Sequence, residues 1–413
     1  MATQQLQRDQ DVVAYTAFNG LRSDVTPERF DLGDLTVGDN IDIDKSGRIT
    51  RRAGYASLFA QASHSLWSDQ LQEMCFRVRA QALYRIMPDW SEVFVTSLAS
   101  NARMSYERVG NRVYYSNGQD VGVYENGAAR SWGLPQAPAP DASATSGSMP
   151  AGTYQFTMTW LRGDGQESGA ALCGQITLGY NSGIVFALPV SAHPDVVGKV
   201  LYLSPPNAEV PFEAVAMNNA QTSLTWTSDP SALSYPLKTQ FRQPAPAGQL
   251  VAFFRGQMLV AAEDTLYISD AYAYERFNLR RYVQLDGRIT LLAPFDAKDR
   301  NDGPSRESGI FIGTDRSTGI IAGTDTDAWQ YVAKAEYGAV FGAMDYVDGA
   351  LFHKGEAGVQ RLPMWLSTQG VCVGMPDLMI NNLTRSTFTF PATGQGAALF
   401  MPTVNRFIAT ANL

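Results

Sequence analysis

The feature that most constrains this chain is a short grammar that it repeats. In Met104 to Gly127, MSYERVGNRVYYSNGQDVGVYENG, residues Val113, Tyr114 and Tyr115 are β-branched or aromatic and Ser116 to Gln119 read as a turn. Val121 to Tyr124 then form a second short strand before Asn126-Gly127. The same order of apolar strand, polar or glycine turn and apolar strand returns at His64 to Ile86, Gln249 to Asp270, Ser308 to Val332 and Gly342 to Leu362. It is found once more, truncated, in GQGAALFMPTVNRFIATANL. About six copies, spaced by roughly 35 to 60 residues once one long interruption is set aside, fall near the period of propeller blades. Units of three or four short strands cannot each bury an apolar face alone, but stacked radially they can. The expectation is an all-β fold with a β-propeller-like body of about six blades. One or two β-sandwiches, whose hairpins also recur at short spacing, are the competing architecture.

Composition agrees with many short strands. The chain has 413 residues, 45% of them hydrophobic and 17% charged, enough for a large core, and its 11% aromatics, 36 Gly and 21 Pro favour strands and tight turns over long helices. A net charge of −8 argues against a general nucleic-acid binder, whose affinity comes from clustered Lys and Arg. That sign suits a surface past which DNA must slide. Cys75, Cys173 and Cys372 are widely spaced and odd in number, with no CxxC pair, so neither a disulfide framework nor a zinc site is implied. The opening MATQQLQRDQDVV lacks a basic start followed by an apolar core, and no run approaches eighteen apolar residues. A soluble product made in the cytoplasm, with no membrane partner, is expected.

Taken in order, residues 1–39 read as an N-terminal arm and lead segment. Residues 40–134 follow as the first part of the propeller. The composition then shifts at SWGLPQAPAPDASATSGSMPAG, where Pro135, Pro138, Pro140 and Pro150 among Ala and Ser mark a linker. In Thr153 to Trp160 the residues Tyr154, Phe156, Met158 and Trp160 alternate on one face, and Arg162-Gly163-Asp164-Gly165 reverses the chain. Further strands are expected at Gly183 to Leu188, Lys199 to Ser204, Glu213 to Met217 and Ser223 to Thr227, after which Pro244 and Pro246 return the chain to the repeat. Residues 135–247 are therefore expected to form an inserted immunoglobulin or fibronectin-III-like β-sandwich, and residues 248–413 the second part of the propeller. Ile49 to Leu58 could complete a blade with the last strands, Ala398 to Phe400 and Arg406 to Ala409.

The lead segment carries a family resemblance. FNGLRSDVTPERFDLGDL, then NIDIDKSGRITRRAGY, then the repeat that begins HSLWSD, resembles the N-terminal part of the tail nozzle or hub proteins of short-tailed bacteriophages, also called tail tubular protein B or packaged-DNA stabilisation proteins. The residues that carry it are Asn40, Asp42, Gly47, Arg51, Arg52 and Gly54, with Ala53 where many relatives place Pro. The match covers the first 130 residues best and the later repeats by pattern alone. The resemblance implies a virion structural protein of the phage tail, a homohexameric ring below the portal and adaptor that extends the DNA exit channel, retains packaged DNA and guides its ejection. It implies a head-to-tail adaptor as partner, tail fibres or spikes docked outside, and DNA passing through the lumen without sequence-specific binding. Acidic stretches available for that lumen are Asp31 to Asp44 and Asp296 to Asp302.

Candidate chemistry is sparse, and no catalytic, cofactor-binding or metal residue is assigned. His64, His193 and His353 lie in different units without metal-ligand spacing. Asp42, Asp44, Ser46 and Gly47 mimic the start of a calcium loop, but Ala53 stands where a bidentate Glu is required, so a tight hairpin turn is the simpler reading. There is no G-x-S-x-G elbow and no P-loop. Propeller glycoside hydrolases gather carboxylates at the axis; Asp315, Asp325, Asp327 and Asp345 are candidates here, more simply explained as turn residues. Arg276, Arg280, Arg281 and Arg288 are interleaved with Tyr272, Tyr274, Phe277 and Tyr282, a mixture that could stack on single-stranded bases or form an inter-subunit ion-pair surface. A tail adhesin would instead read a glycan with exposed aromatics such as Trp90 or Trp365. The expectation is a non-enzymatic structural protein without cofactor, with a glycan-binding adhesin or a propeller glycoside hydrolase as alternatives.

Overall fold

A computed structural model describes residues 17–296, 308–323, 325–352, 361–388 and 394–411. Among the described residues the regular structure is β-strand with three short 3-10 turns and no α-helix. The strands form many small sheets, and the recurring one is a four-stranded antiparallel meander whose strands pair in chain order. The first meander spans His64–Ser68 to Glu92–Ser97, the second Ser105–Val109 to Ala128–Arg130, and the third Leu250–Phe254 to Ala273–Gln284. The fourth runs from Ile289–Phe295 to Tyr331–Ala335 and the fifth from Ala339–Val347 to Ile380–Asn382. A two-stranded hairpin, Gly396–Met401 with Arg406–Ala411, ends the series.

The second strand of the second and of the third meander is apolar across its middle, Val113 to Tyr115 and Met258 to Ala262, because both of its faces are covered. Strand parity then sorts its side chains between two cores. Val113 and Tyr115 join Phe76, Val78 and Leu83 in the core between the first and second meanders, whereas Tyr114 turns the other way to Met258, Val260 and Phe277 of the third. In the third meander Met258 and Val260 face back, and Leu259 and Ala261 face forward to Ile310 and Ile312 of the fourth. Side-chain oxygens lace the first strands of neighbouring meanders together: Met104 N–H donates to Ser65 Oγ (2.8 Å) and Val251 N–H to Ser105 Oγ (3.0 Å).

Seven strands fill the interruption: β1 Asp141–Met149, β2 Gly152–Arg162, β3 Gly174–Leu178, β4 Ser182–Ala187, β5 Val196–Leu203, β6 Phe212–Asn218 and β7 Ser223–Trp226. They form two sheets, β1-β4-β7 and β3-β2-β5-β6, that share one core containing Met149, Tyr154, Phe156, Ile184, Phe186 and Leu201. This pairing differs from the 1-2-5-4 and 3-6-7 order of a seven-stranded constant immunoglobulin domain. Part of the stretch expected as linker is strand, since the small residues of Asp141–Met149 pair with Ser182–Ala187.

The chain divides into two compact units. One holds the described parts of Met1–Ala60, Ala339–Met375 and Met379–Leu413, and the other holds Gln61–Gly338 with Pro376–Leu378. The sandwich lies within the second unit, bonded to its flanking meanders by the polar contacts described below. Within the first unit, Ile41–Ile43 pairs with Ile49–Arg51, not with the final strands, which pair with each other. There Asp345 Oδ2 accepts from Phe400 N–H at 2.7 Å and joins the fifth meander to the hairpin.

Candidate functional site

The densest group of charges in the described residues surrounds Glu275. This residue lies on the last strand of the third meander, on the same side as Phe277, and its side chain is only 3% exposed. Arg130 Nη2 donates to its Oε1 at 2.7 Å and Arg162 Nη1 to its Oε2, while Arg112 Nη1 stands 3.6 Å away. Arg112 also donates to Glu125 Oε1 (2.7 Å), Arg130 to Glu125 Oε2 (2.9 Å), and Arg162 to both oxygens of Asp164 (3.0 and 2.8 Å). Local structure explains who arrives. Arg112 opens the second strand of the second meander, Glu125 and Arg130 flank its last turn, and Arg162 ends β2 just before the turn that carries Asp164.

The cluster is balanced, with three guanidiniums and three carboxylates. Burial alone would push Glu125 up, but Arg112 and Arg130 hold it below the usual carboxylate range. Arg162 holds Asp164 below that range and is itself kept charged, its two carboxylate partners outweighing the effect of burial. Every carboxylate is engaged by a fixed guanidinium, so the group offers neither a free base nor a nucleophile. What it does is connect the second meander, the third meander and the sandwich. Nearby, Trp132 Nε1 donates to the Tyr274 carbonyl (2.8 Å) and Ser131 Oγ to Asp195 Oδ2 (2.7 Å).

The residues singled out from the sequence occupy separate, local contacts. His64 bonds through Nδ1 to Ser65 Oγ (2.8 Å) and through Nε2 to Asn101 Oδ1 (3.1 Å). His193 Nδ1 accepts from Asp195 N–H (3.2 Å), and His353 lies outside the described residues. Cys75 and Cys173 are half-buried and Cys372 buried, all as free thiols, and burial pushes the first two up. Asp44 caps its own turn by accepting from Ser46 N–H (2.8 Å), Ser46 Oγ (2.6 Å) and Arg48 N–H (3.0 Å). Asp42 is occupied by Arg52 (3.1 Å) and Arg406 (2.8 Å), so neither carboxylate is open to a cation.

The acidic lead segment is likewise compensated. Arg22 pairs with Asp24, Asp31 and Asp34 at 2.9 to 3.0 Å, which leaves less negative surface than the sequence suggests. The second acidic stretch lies outside the described residues beyond Asp296. Asp315 sits exposed in a turn, Asp325 accepts from Asp327 N–H (3.0 Å), and Asp327 pairs with Arg281 (2.7 Å).

Three of the interleaved arginines pair within the chain: Arg281 with Asp327, Arg276 with Asp270 (4.0 Å) and Arg288 with Glu263 (3.6 Å). Arg280 stacks over the Phe241 ring at 5.5 Å. Of the interleaved aromatics Phe277 is fully buried and Tyr274 packs on Phe253, while Tyr272 and Tyr282 are exposed. Trp365, named as a glycan-facing aromatic, is fully buried, whereas Trp90 is 58% exposed. The cluster at Glu275 was not anticipated. Its one local sign is a glutamate two residues before a core phenylalanine in a strand, which places a charge on the apolar face.

No family model matches the chain, and no curated protein matches it. Among solved structures, dipeptidyl peptidase 4 of Porphyromonas gingivalis aligns over 86% of this chain at 10% identity with a TM-score of 0.30. The chain spans 42% of that protein's length, and a likeness this slight carries no argument about fold or activity.

Proposed function

We propose that this protein is a structural component of a short-tailed phage virion, a tail nozzle or hub without enzymatic activity. In this reading six copies form a ring beneath the adaptor, extend the exit channel, retain the packaged genome and guide its ejection. The observation that carries the proposal is the lead motif at Asn40 to Gly54, placed directly ahead of a series of four-stranded meanders. Five meanders and a terminal hairpin are compatible with about six propeller blades. The 141–226 sandwich then plays the part of an immunoglobulin-like module that faces outward and docks fibres or spikes. A β-rich subunit suits a closed ring with heterologous interfaces, and the net charge of −8 suits a channel that repels phosphates.

Electron cryomicroscopy of the virion tests the reading. The expected result is a ring of this chain around the tail axis below the adaptor. Density on the capsid surface or at fibre tips would overturn it. A glycan array with a hydrolysis assay examines the alternatives, and saturable sugar binding through the exposed Trp90 region, or cleavage, would favour an adhesin or a hydrolase instead.

A further inference from the structure

The attachment of the sandwich to the meanders has an unusual division of labour. The apolar residues of the two connections split between the bodies. Trp132 and Ala245 belong to the core between the second and third meanders, whereas Leu134 and Ala137 pack with Met158, Trp160 and Val196 of the sandwich. The residue between Trp132 and Leu134 is Gly133, at φ +96°, and a Cβ there would lie 2.5 Å from the Glu275 carbonyl oxygen. In the second connection Phe241 N–H bonds to the Ala170 carbonyl on the sandwich side and Gln243 N–H to the Phe277 carbonyl on the meander side. Among the described residues the charged and hydrogen-bonding side chains that cross the boundary are Arg162 to Glu275, Arg112 to Asp164 (3.8 Å) and Ser131 to Asp195, and at the second connection Arg242 pairs with Asp270 (2.8 Å) while the Arg280 guanidinium lies over the Phe241 ring.

We propose that Gly133 is a hinge and the Glu275 cluster a latch, which together hold the sandwich at one orientation and release it as a rigid body when the shared carboxylate is lost. The proposal does not depend on the phage reading. Its physical basis is that a hydrophobic seam resists sliding in proportion to its area, whereas a buried ion cluster is decided by its charge balance. Without Glu275, three converging guanidiniums face only Glu125 and Asp164, and the uncompensated charge pushes Arg162, the sandwich's contribution, outward. Each body keeps its own apolar core, so neither need unfold. Few-residue joints with permissive backbone are where such motions concentrate.

Hydrogen-exchange mass spectrometry on the full chain tests this with Glu275→Gln. Peptides covering 131–137 and 241–245 are expected to exchange at least tenfold faster than in the parent, while Val196–Leu203 in the sandwich and Gln257–Ala262 in the third meander stay unchanged. Unchanged connections would overturn the proposal. So would a uniform rise across both cores, which would make the cluster a source of global stability only. If Glu275→Gln does not fold, Arg162→Lys, which keeps the charge but loses the two-pronged geometry, is read by the same criteria.

Discussion

Asp69 and Glu107 are carboxylates in neighbouring meanders whose surroundings drive them in opposite directions. The Asp69 side chain accepts from Leu71 N–H (3.1 Å) and Met74 N–H (2.7 Å), closing its own turn, and from Arg108 of the second meander. Burial pushes it up, but the Met74 amide, Arg108 and the Leu71 amide together hold it below the usual range. A depressed carboxylate stabilises the fold at pH values above about 4 and loses that contribution as pH falls through its folded pKa. Asp69→Asn should therefore cost about 1–3 kcal/mol in urea denaturation at pH 7, with the gap from the parent narrowing as pH falls below about 4; a gap that does not change with pH would refute this. Glu107 stands opposite Tyr114 in the strand register and is pushed up to about 8 by burial, only partly offset by the backbone amides of Phe253 and Arg108. Between about pH 4.5 and 8 the folded protein binds a proton that the unfolded chain does not, so stability falls as pH rises. Glu107→Gln should abolish this slope and stabilise the protein at pH 8, with the two curves meeting below about pH 4.5. Parallel curves would show that Glu107 does not titrate as argued.

At the scale of elements, the doubly covered strands were the most legible and the outer strands the least. Val113-Tyr114-Tyr115 and Met258-Leu259-Val260 are apolar at consecutive positions, a pattern that a short strand buried on both faces produces. Ala273–Gln284 hides its strand character, because an outer strand can carry Arg276, Arg280 and Arg281 at half-buried and exposed positions. Ile289–Phe295, the first strand of the fourth meander, follows directly after it, where the chain crosses to a new sheet. Asp141–Met149 was missed because Ala, Ser and Gly have little strand preference, and its conformation is set by pairing with β4. Close packing between elements yields a sharp prediction at Gly169, where an added Cβ would fall 1.7 Å from the backbone oxygen of Arg242. Gly169→Ala should destabilise by about 3 kcal/mol or more, since backbone rather than a pliable side chain must move. Gly179→Ala, with open space at its Cβ, should stay within about 0.5 kcal/mol. Similar thermal unfolding for the two variants would contradict the geometry.

For the molecule as a whole, the chain divides into two units by contacts, and the sandwich lies inside the second. Residues 61–338 hold together because the sandwich is bonded to the second and third meanders through Glu275, Trp132 and Gln243. The latch prediction belongs to this scale, since it concerns how one body is carried by another, and so does the proposed place of the chain in a phage tail. From the sequence alone came the all-β class, the repeated meander, its interruption by a β-rich insert and most inner strands of both parts. These are set by side-chain parity and turn residues that act over a few positions. Tertiary structure alone decided which charges meet. Arg130 and Arg162 reach Glu275 across separations of 145 and 113 residues, and no local pattern distinguishes these arginines from those that pair at the surface. The same holds for Trp365 and Trp90, one enclosed and one exposed, because burial depends on what the fold places over a residue and not on the residue itself.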